Sequence, residues 1–109
     1  MRPRIIFLLL VALLAALPLL APARSQEAGD AVAGQRLARE VCAACHAVEA
    51  GDILVSPAGA PPFQQVAADS SASEVGLRVF LRTPHETMPD LILTPKQTDD
   101  IVAYILSLR

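Results

Sequence analysis

The feature that most constrains this chain is the run Cys42-Ala43-Ala44-Cys45-His46. Two cysteines separated by two residues lie on one face of a helical turn, so both sulfurs can reach one edge of a flat group. The histidine that follows places an imidazole, a common metal ligand, beside the two thiols. The spacing therefore brings two nucleophilic sulfurs and one nitrogen ligand to the same place.

A C-x-x-C-H run is the attachment pattern of a c-type haem, whose porphyrin is bonded to both thiols while the histidine binds the iron. We therefore predict one haem c, attached through Cys42 and Cys45, with His46 as an iron ligand.

Two alternatives use the same residues. An exported chain can oxidise two cysteines to a disulfide, although no β-containing fold typical of dithiol redox proteins is recognisable here. Zinc would take both cysteines, His46 and His85, but the two-plus-two ligand spacing of zinc sites is missing.

The beginning of the chain has the three parts of a secretory signal peptide: a basic start, an unbroken apolar run over residues 5–17, and small residues before Gln26. We predict cleavage after Ala23 or Ser25, with preference for a mature chain that begins at Gln26. The domain prediction is a signal peptide at residues 1–25 and one haem domain at residues 26–109. Export places the mature protein in the periplasm.

A retained membrane anchor is the alternative interpretation of the same leader. The apolar span over residues 5–23 is barely long enough to cross a bilayer, and Pro18 lies inside it. The membrane is a partner only if this leader is retained.

Removal of the leader changes the charge of the chain. Residues 26–109 contain six basic and eleven acidic side chains, a net charge of −5. An acidic domain is not suited to bind nucleic acid. A domain of about 84 residues also has a marginal hydrophobic core, and a bound cofactor would add to it.

No stretch of residues 26–109 alternates with the period of a strand, so we predict an all-α fold of three helices and two proline-rich loops. The first helix is expected to begin near Ala31, capped by Asp30, and to run into the cysteine motif. A single helical turn is expected at residues 63–67. A helix follows at about residues 72–82, with a capping box over residues 71–74.

The last helix is expected to begin at Pro95, with Thr94 and Gln97 forming a capping box. Its apolar residues fall on one face at spacings of three and four. Gly34 costs helix propensity, and we expect it to allow close approach of another helix. The apolar residues expected to surround the haem are Leu37, Phe63, Val79, Phe80, Leu91, Ile101 and Ile105.

The sixth iron ligand decides the function, because a sulfur or imidazole in that position closes the iron to substrates. Met88 is the one methionine after the leader, and it lies between Thr87 and Pro89 in a predicted loop. A methionine that only fills a gap in the core is the structural alternative. His85, three residues earlier, is the rival ligand. We predict Met88 as the sixth ligand.

In the order of its motifs the chain resembles the class I cytochromes c. The resemblance spans residues 29–108 and is carried by Gly34, Cys42-Ala43-Ala44-Cys45-His46, Ala60-Pro61-Pro62-Phe63, Thr87-Met88-Pro89 and the final helix with Tyr104. It implies three or more helices that wrap one haem and leave one haem edge exposed. The first and last helices should cross at Gly34 and Tyr104.

The resemblance also implies that a proline carbonyl after the motif accepts the second ring proton of His46. Pro61 best matches that position, with Pro62 adjacent to it. The lysine-rich docking face of some family members is missing from this sequence.

Three functions follow from these expectations. The favoured one is an exported monohaem electron carrier, not an enzyme, with iron ligated by His46 and Met88 and with a periplasmic dehydrogenase, oxidase or reductase of a respiratory chain as its redox partner. The second is the haem subunit of a periplasmic dehydrogenase complex, because the basic face is missing and Leu91-Ile92-Leu93 is apolar. The third is a gas sensor or peroxidase with an open iron, which requires Met88 to be displaced from the metal.

Overall fold

A computed structural model of the protein describes residues 28–84 and 87–109, and this part of the chain contains helices and no strands. The helices are α1 (Ala31–Val41), α2 (Phe63–Ala68), α3 (Glu74–Leu81) and α4 (Pro95–Ser107). The prediction of an all-α fold is confirmed. The predicted signal peptide at residues 1–25 and the rival ligand His85 lie outside the described residues. Among the helices within the described ranges, none has the length and apolar character needed to span a bilayer.

Helix α1 begins where it was predicted. The Asp30 carboxylate accepts hydrogen bonds from the backbone amides of Val32 and Ala33, which are otherwise unpaired in the first turn. The helix ends at Val41 with Cys42 as its C-cap, so it leads directly to the cysteine motif as predicted but does not continue through it. The amides of Cys42 and Ala43 both donate to the carbonyl oxygen of Ala38, which ends the regular pattern of hydrogen bonds. The motif is built instead on hydrogen-bonded turns that follow the helix.

Helices α2 and α3 differ in detail from the sequence prediction. The expected single turn near residue 63 is a six-residue helix, α2. The expected capping box over residues 71–74 does not form, because Ser71 donates to the Asp69 carboxylate instead. Ser73 caps α3 by accepting from the Gly76 amide at 3.0 Å. Glu74 then falls in the first turn of α3, where the helix dipole favours its negative charge.

Helix α4 follows its local sequence closely. The Thr94 hydroxyl accepts from the Gln97 amide, and the Gln97 side chain accepts from the Thr94 amide, so the predicted capping box is confirmed. Four apolar side chains that share one face are buried in the core, namely Ile101, Tyr104, Ile105 and Leu108. This face packs most extensively against α1 and also contacts α2 and α3.

Helices α1 and α4 cross at Gly34. A Cβ atom added at Gly34 would lie 1.9 Å from the backbone oxygen of Asp100 and 2.9 Å from the Cβ of Tyr104. No side chain fits in that space, so the two helix backbones approach each other because residue 34 is glycine. The expected close approach of another helix is found, and the partners are Asp100 and Tyr104.

A buried carboxylate joins the beginning of α1 to the first turns of α4. Asp100 accepts the backbone amide of Asp30 at 2.7 Å and the Lys96 ammonium at 3.0 and 3.1 Å. Burial raises the pKa of the Asp100 carboxyl, but these donors outweigh it and hold the pKa below its ordinary value. The carboxylate is therefore charged and paired at neutral pH.

Helix α3 packs on α4 with its partly buried side. Leu77, Arg78 and Leu81 are partly buried, and Arg78 donates to the Asp99 carboxylate of α4 at 2.6 Å. Val79 and Phe80 lie on the outer side and remain exposed by 60% and 49%. Of the residues predicted to surround the haem, Phe63, Ile101 and Ile105 are buried and Leu37 and Leu91 are partly buried; for Val79 and Phe80 the contact with haem stays a prediction.

The substitution Gly34→Ala tests the helix crossing. The new methyl group must displace the backbone of Asp100, so we expect a loss of unfolding free energy of about 1–3 kcal/mol or more. Denaturant unfolding of the holoprotein measures it. Gly76→Ala is the control, because Gly76 is exposed in α3 and meets only the Ser73 hydroxyl at 3.0 Å; its effect should stay within about 1 kcal/mol. Equal effects of the two changes would contradict the close crossing.

The substitution Asp100→Asn tests the buried carboxylate. Because folding lowers the pKa of this group, the charged form stabilises the protein above about pH 4, its ordinary unfolded value, and this stability is lost as the pH falls through the folded value. We expect Asp100→Asn to cost about 1–3 kcal/mol at pH 7 and progressively less below pH 4. Unfolding curves from pH 7 to pH 3 measure the difference, with the exposed Asp90→Asn as the control. A cost that does not depend on pH would exclude a charged Asp100.

Candidate functional site

The cysteine motif lies on the turns between α1 and the proline-rich loop. The amides of Cys45 and His46 both donate to the carbonyl oxygen of Cys42, at 3.0 and 2.9 Å. These bonds span three and four residues, as in a helix, so the local geometry of a helical turn is kept after α1 has ended. Both thiols are free. The motif therefore presents its two cysteines and its histidine from one compact turn.

The two thiols have different surroundings. Cys42 packs into the core and is only 6% exposed, whereas Cys45 is partly exposed. Burial raises the pKa of the Cys42 thiol to about 11, because the thiolate would be poorly solvated there. Cys42 is therefore held as a neutral thiol on the inner side of the turn.

The His46 ring is oriented by a backbone carbonyl of the proline-rich loop. Its Nδ1 lies 2.7 Å from the carbonyl oxygen of Pro61, so Nδ1 carries the proton and donates it. The other nitrogen, Nε2, then has a free lone pair for a metal. Of the two adjacent prolines it is Pro61 that makes this contact, while Pro62 is buried and precedes the first residue of α2.

Aromatic packing supports the same histidine from its other side. The Phe63 ring centroid lies 5.3 Å from that of His46 and 6.4 Å from that of Tyr104. The Phe63 amide also donates to the Ala47 carbonyl at 2.9 Å, which ties the start of α2 to the residue after His46. Phe63 was predicted to line the haem and to belong to the motif Ala60-Pro61-Pro62-Phe63, but its packing against the histidine ring was not predicted; its position directly after the two prolines was the available signal.

Two polar side chains that were not among the predicted site residues also stabilise this region. Gln64 accepts the Gly51 amide at 2.9 Å and donates to the Leu108 carbonyl at 2.5 Å, so it joins the loop to the end of α4. Glu49 accepts hydrogen bonds from Arg39 of α1. These contacts could not be predicted from the spacing of neighbouring residues, because each hydrogen bond joins residues at least ten positions apart.

The predicted sixth ligand lies on a separate part of the chain. Met88 is half-buried in the irregular segment that leads to α4, two residues beyond the gap in the described residues. The backbone between Thr87 and Leu93 is irregular, so the direction of the Met88 side chain is not set by the geometry of a helix. Met88 is the thioether available among the described residues, and its ligation remains a prediction.

The two alternatives for the cysteines can be compared with the geometry. Cys42 and Cys45 are not joined as a disulfide. Within residues 28–84 and 87–109, no group of three or more histidine, cysteine, aspartate or glutamate side chains is arranged to hold a metal ion. The fourth zinc ligand of that alternative, His85, lies outside the described residues.

The donor set fits a covalently attached haem. It offers two free thiols on one turn, an imidazole whose Nδ1 is already bonded and whose Nε2 is available, and a soft thioether on another segment. Apolar side chains that a flat, largely apolar macrocycle could cover are exposed on α3, namely Val79 and Phe80. The residues present are thus those that such a cofactor needs.

Comparison with known proteins agrees with this geometry. The family model described as Cytochrome c matches residues 31–109, which contain the cysteine motif, Pro61, Met88 and all four helices. The chain is also similar to cytochrome c-552 of Bradyrhizobium diazoefficiens, with 43% identity over 82 residues that cover 75% of this chain and 78% of that protein. No solved structure matches the chain significantly.

Proposed function

This chain belongs to the cytochrome c family as a class I member with one covalently attached haem c, and we propose that it is an exported one-electron carrier whose iron is ligated by His46 and Met88. Family membership makes it an electron-transfer protein that acts with redox partners. The observation that carries the ligand proposal is the hydrogen bond from His46 Nδ1 to the Pro61 carbonyl, because it prepares Nε2 of the motif histidine for a metal.

Cys42 and Cys45 would hold the haem by two thioether bonds, one from the buried and one from the partly exposed side of the turn. The bound haem supplies a one-electron iron couple. The protein's own contribution would be to hold the His46 and Met88 side chains in place and to limit the access of water to the site.

His46 enters this function with its ring already oriented. The bond to Pro61 fixes which nitrogen carries the proton and increases the electron density on Nε2. The Phe63 ring packed at 5.3 Å restricts rotation of the imidazole and makes its surroundings apolar. A ligand held this way rearranges little between oxidation states, which favours rapid electron transfer.

Met88 would supply the second protein ligand to the iron. Its soft sulfur favours the ferrous state and so raises the reduction potential. With His46 and Met88 both bound to the iron, small molecules would be excluded from it. A closed iron distinguishes an electron carrier from a gas sensor or peroxidase, whose iron must be accessible.

A role as the haem subunit of a periplasmic dehydrogenase is a second candidate. Ile92 is fully exposed in the segment that follows Met88, between the partly buried Leu91 and Leu93. Together Leu91, Ile92 and Leu93 form an apolar run beside the proposed ligand Met88, which suits contact with the apolar centre of a partner surface. The acidic charge of residues 26–109 favours a partner that is apolar or basic around that contact.

Export is the part of the proposal that rests on the leader sequence. The basic start and apolar run over residues 5–17 favour secretion, and removal of residues 1–25 leaves the region that the family model matches intact. The proposed location of the mature protein is the periplasm.

The substitution Met88→Leu tests the sixth ligand. Leucine keeps the apolar volume but removes the sulfur, and such swaps usually cost less than about 1.5 kcal/mol. We expect the methionine–iron charge-transfer band to vanish, the reduction potential to fall by on the order of 0.1 V, and the ferrous protein to bind carbon monoxide, since axial ligand identity spans potentials of about 0.8 V. Absorption spectra and redox titration measure these changes.

The control for Met88→Leu is Leu93→Met, the reverse exchange at a position in the same segment that packs against the protein core, which should leave the charge-transfer band and the potential unchanged. If Met88 only fills a gap in the core, Met88→Leu will behave like this control. That result would show that Met88 is not an iron ligand.

The mass of the purified product tests export. We expect haem-containing protein in the periplasmic fraction that begins at Gln26, or at Arg24 if cleavage follows Ala23. Intact mass spectrometry and haem staining of the cell fractions measure both. Full-length protein confined to the membrane fraction would show instead that the leader is retained as an anchor.

A further inference from the structure

The three residues after the motif histidine are each held by a different helix. Ala47 is bonded to α2, Val48 to α4 and Glu49 to α1. We propose that Tyr104 and Arg39, which make two of these bonds, are positioning residues that orient the His46 ring by fixing residues 47–49. This inference rests on the proposed role of His46 as an iron ligand.

The bond from α4 is buried. The Tyr104 hydroxyl donates to the Val48 carbonyl oxygen at 2.6 Å, and both residues are 4% exposed. Burial raises the pKa of Tyr104, so the hydroxyl remains a neutral donor throughout the physiological range. Water cannot readily replace the tyrosine at a buried carbonyl, so the bond constrains the backbone two residues from His46.

The bond from α1 is charged and has a defined direction. Arg39 Nε donates to one oxygen of the Glu49 carboxylate at 2.6 Å and Nη2 donates to the other at 2.8 Å, while the Gln35 amide lies 3.4 Å from the second oxygen. Both side chains of the ion pair are about half exposed, which limits its contribution to stability. A two-point contact nevertheless fixes orientation better than a single one. Its effect is therefore expected on geometry more than on stability.

The bond from α2 brings these constraints to the ring itself. The Phe63 amide donates to the Ala47 carbonyl at 2.9 Å, and the same residue packs its side chain against the His46 imidazole. Phe63 also contacts the Tyr104 ring, so α4 supports both the backbone of Val48 and the aromatic neighbour of the histidine. Loss of the Tyr104–Val48 bond or of the Arg39–Glu49 pair would let residues 47–49 shift. The orientation of the His46 imidazole would then change.

Two variants of the holoprotein test the proposal. Tyr104→Phe removes only the hydroxyl, and Arg39→Gln removes the two-point contact with Glu49. The readouts are the paramagnetically shifted haem methyl resonances of the ferric protein, whose spread depends on the plane of the axial imidazole, together with the reduction potential and the thermal midpoint. We expect both variants to change the pattern of the methyl resonances and to shift the potential.

Arg78→Gln is the matched control. It breaks the 2.6 Å pair between Arg78 and Asp99, which joins α3 to α4 and does not involve residues 47–49. We expect it to lower the thermal midpoint while the methyl resonances keep the wild-type pattern. If Tyr104→Phe fails to accumulate, Arg39→Gln and Glu49→Gln decide the outcome.

The proposal is overturned if Tyr104→Phe and Arg39→Gln lower only the thermal midpoint and keep the wild-type methyl pattern and potential. Failure of the underlying function would look different. In that case the wild-type ferric protein itself would lack strongly shifted ring resonances from His46, whatever the variants do.

Discussion

The close crossing of α1 and α4 is the contact on which the rest of this structure depends. It exists because Gly34 leaves room for the backbone of Asp100 and the base of Tyr104, where even a methyl group would be too large. The crossing sets where the motif emerges from α1 and where the Tyr104 hydroxyl reaches the following segment. The site is therefore assembled from the two ends of the domain, although its ligating motif is local in sequence.

The cofactor site itself relies on backbone carbonyls more than on side-chain polarity. Cys42 supplies the carbonyl that closes the motif turn, and Pro61 supplies the one that fixes His46. A proline-rich loop is suited to this task because its restricted backbone loses little freedom when it is held in place. The result is a histidine whose ring is held by the backbone, which suits an electron carrier that rearranges little on electron transfer.

Features specified by neighbouring residues could be predicted from the sequence, and features that need distant contacts could not. Thr94 and Gln97 form their capping box within one turn, whereas the similar Ser71 pattern was misleading because Asp69 competes for that hydroxyl. The C-x-x-C-H motif could be recognised in the sequence. The end of α1 just before it could not, because it depends on two amides that share the Ala38 carbonyl. Arg39 and Glu49 lie ten residues apart across a turn, so their contact had no local signal.

A crystal structure of the haem-loaded protein, determined in both oxidation states, is the most direct test of how the histidine is held. The account predicts iron bonded to Nε2 of His46, with Nδ1 still close to its present 2.7 Å from the Pro61 carbonyl oxygen in both states. Haem attached at the cysteines but with the imidazole turned away from Pro61, or with iron bound by another residue in place of His46, would contradict it.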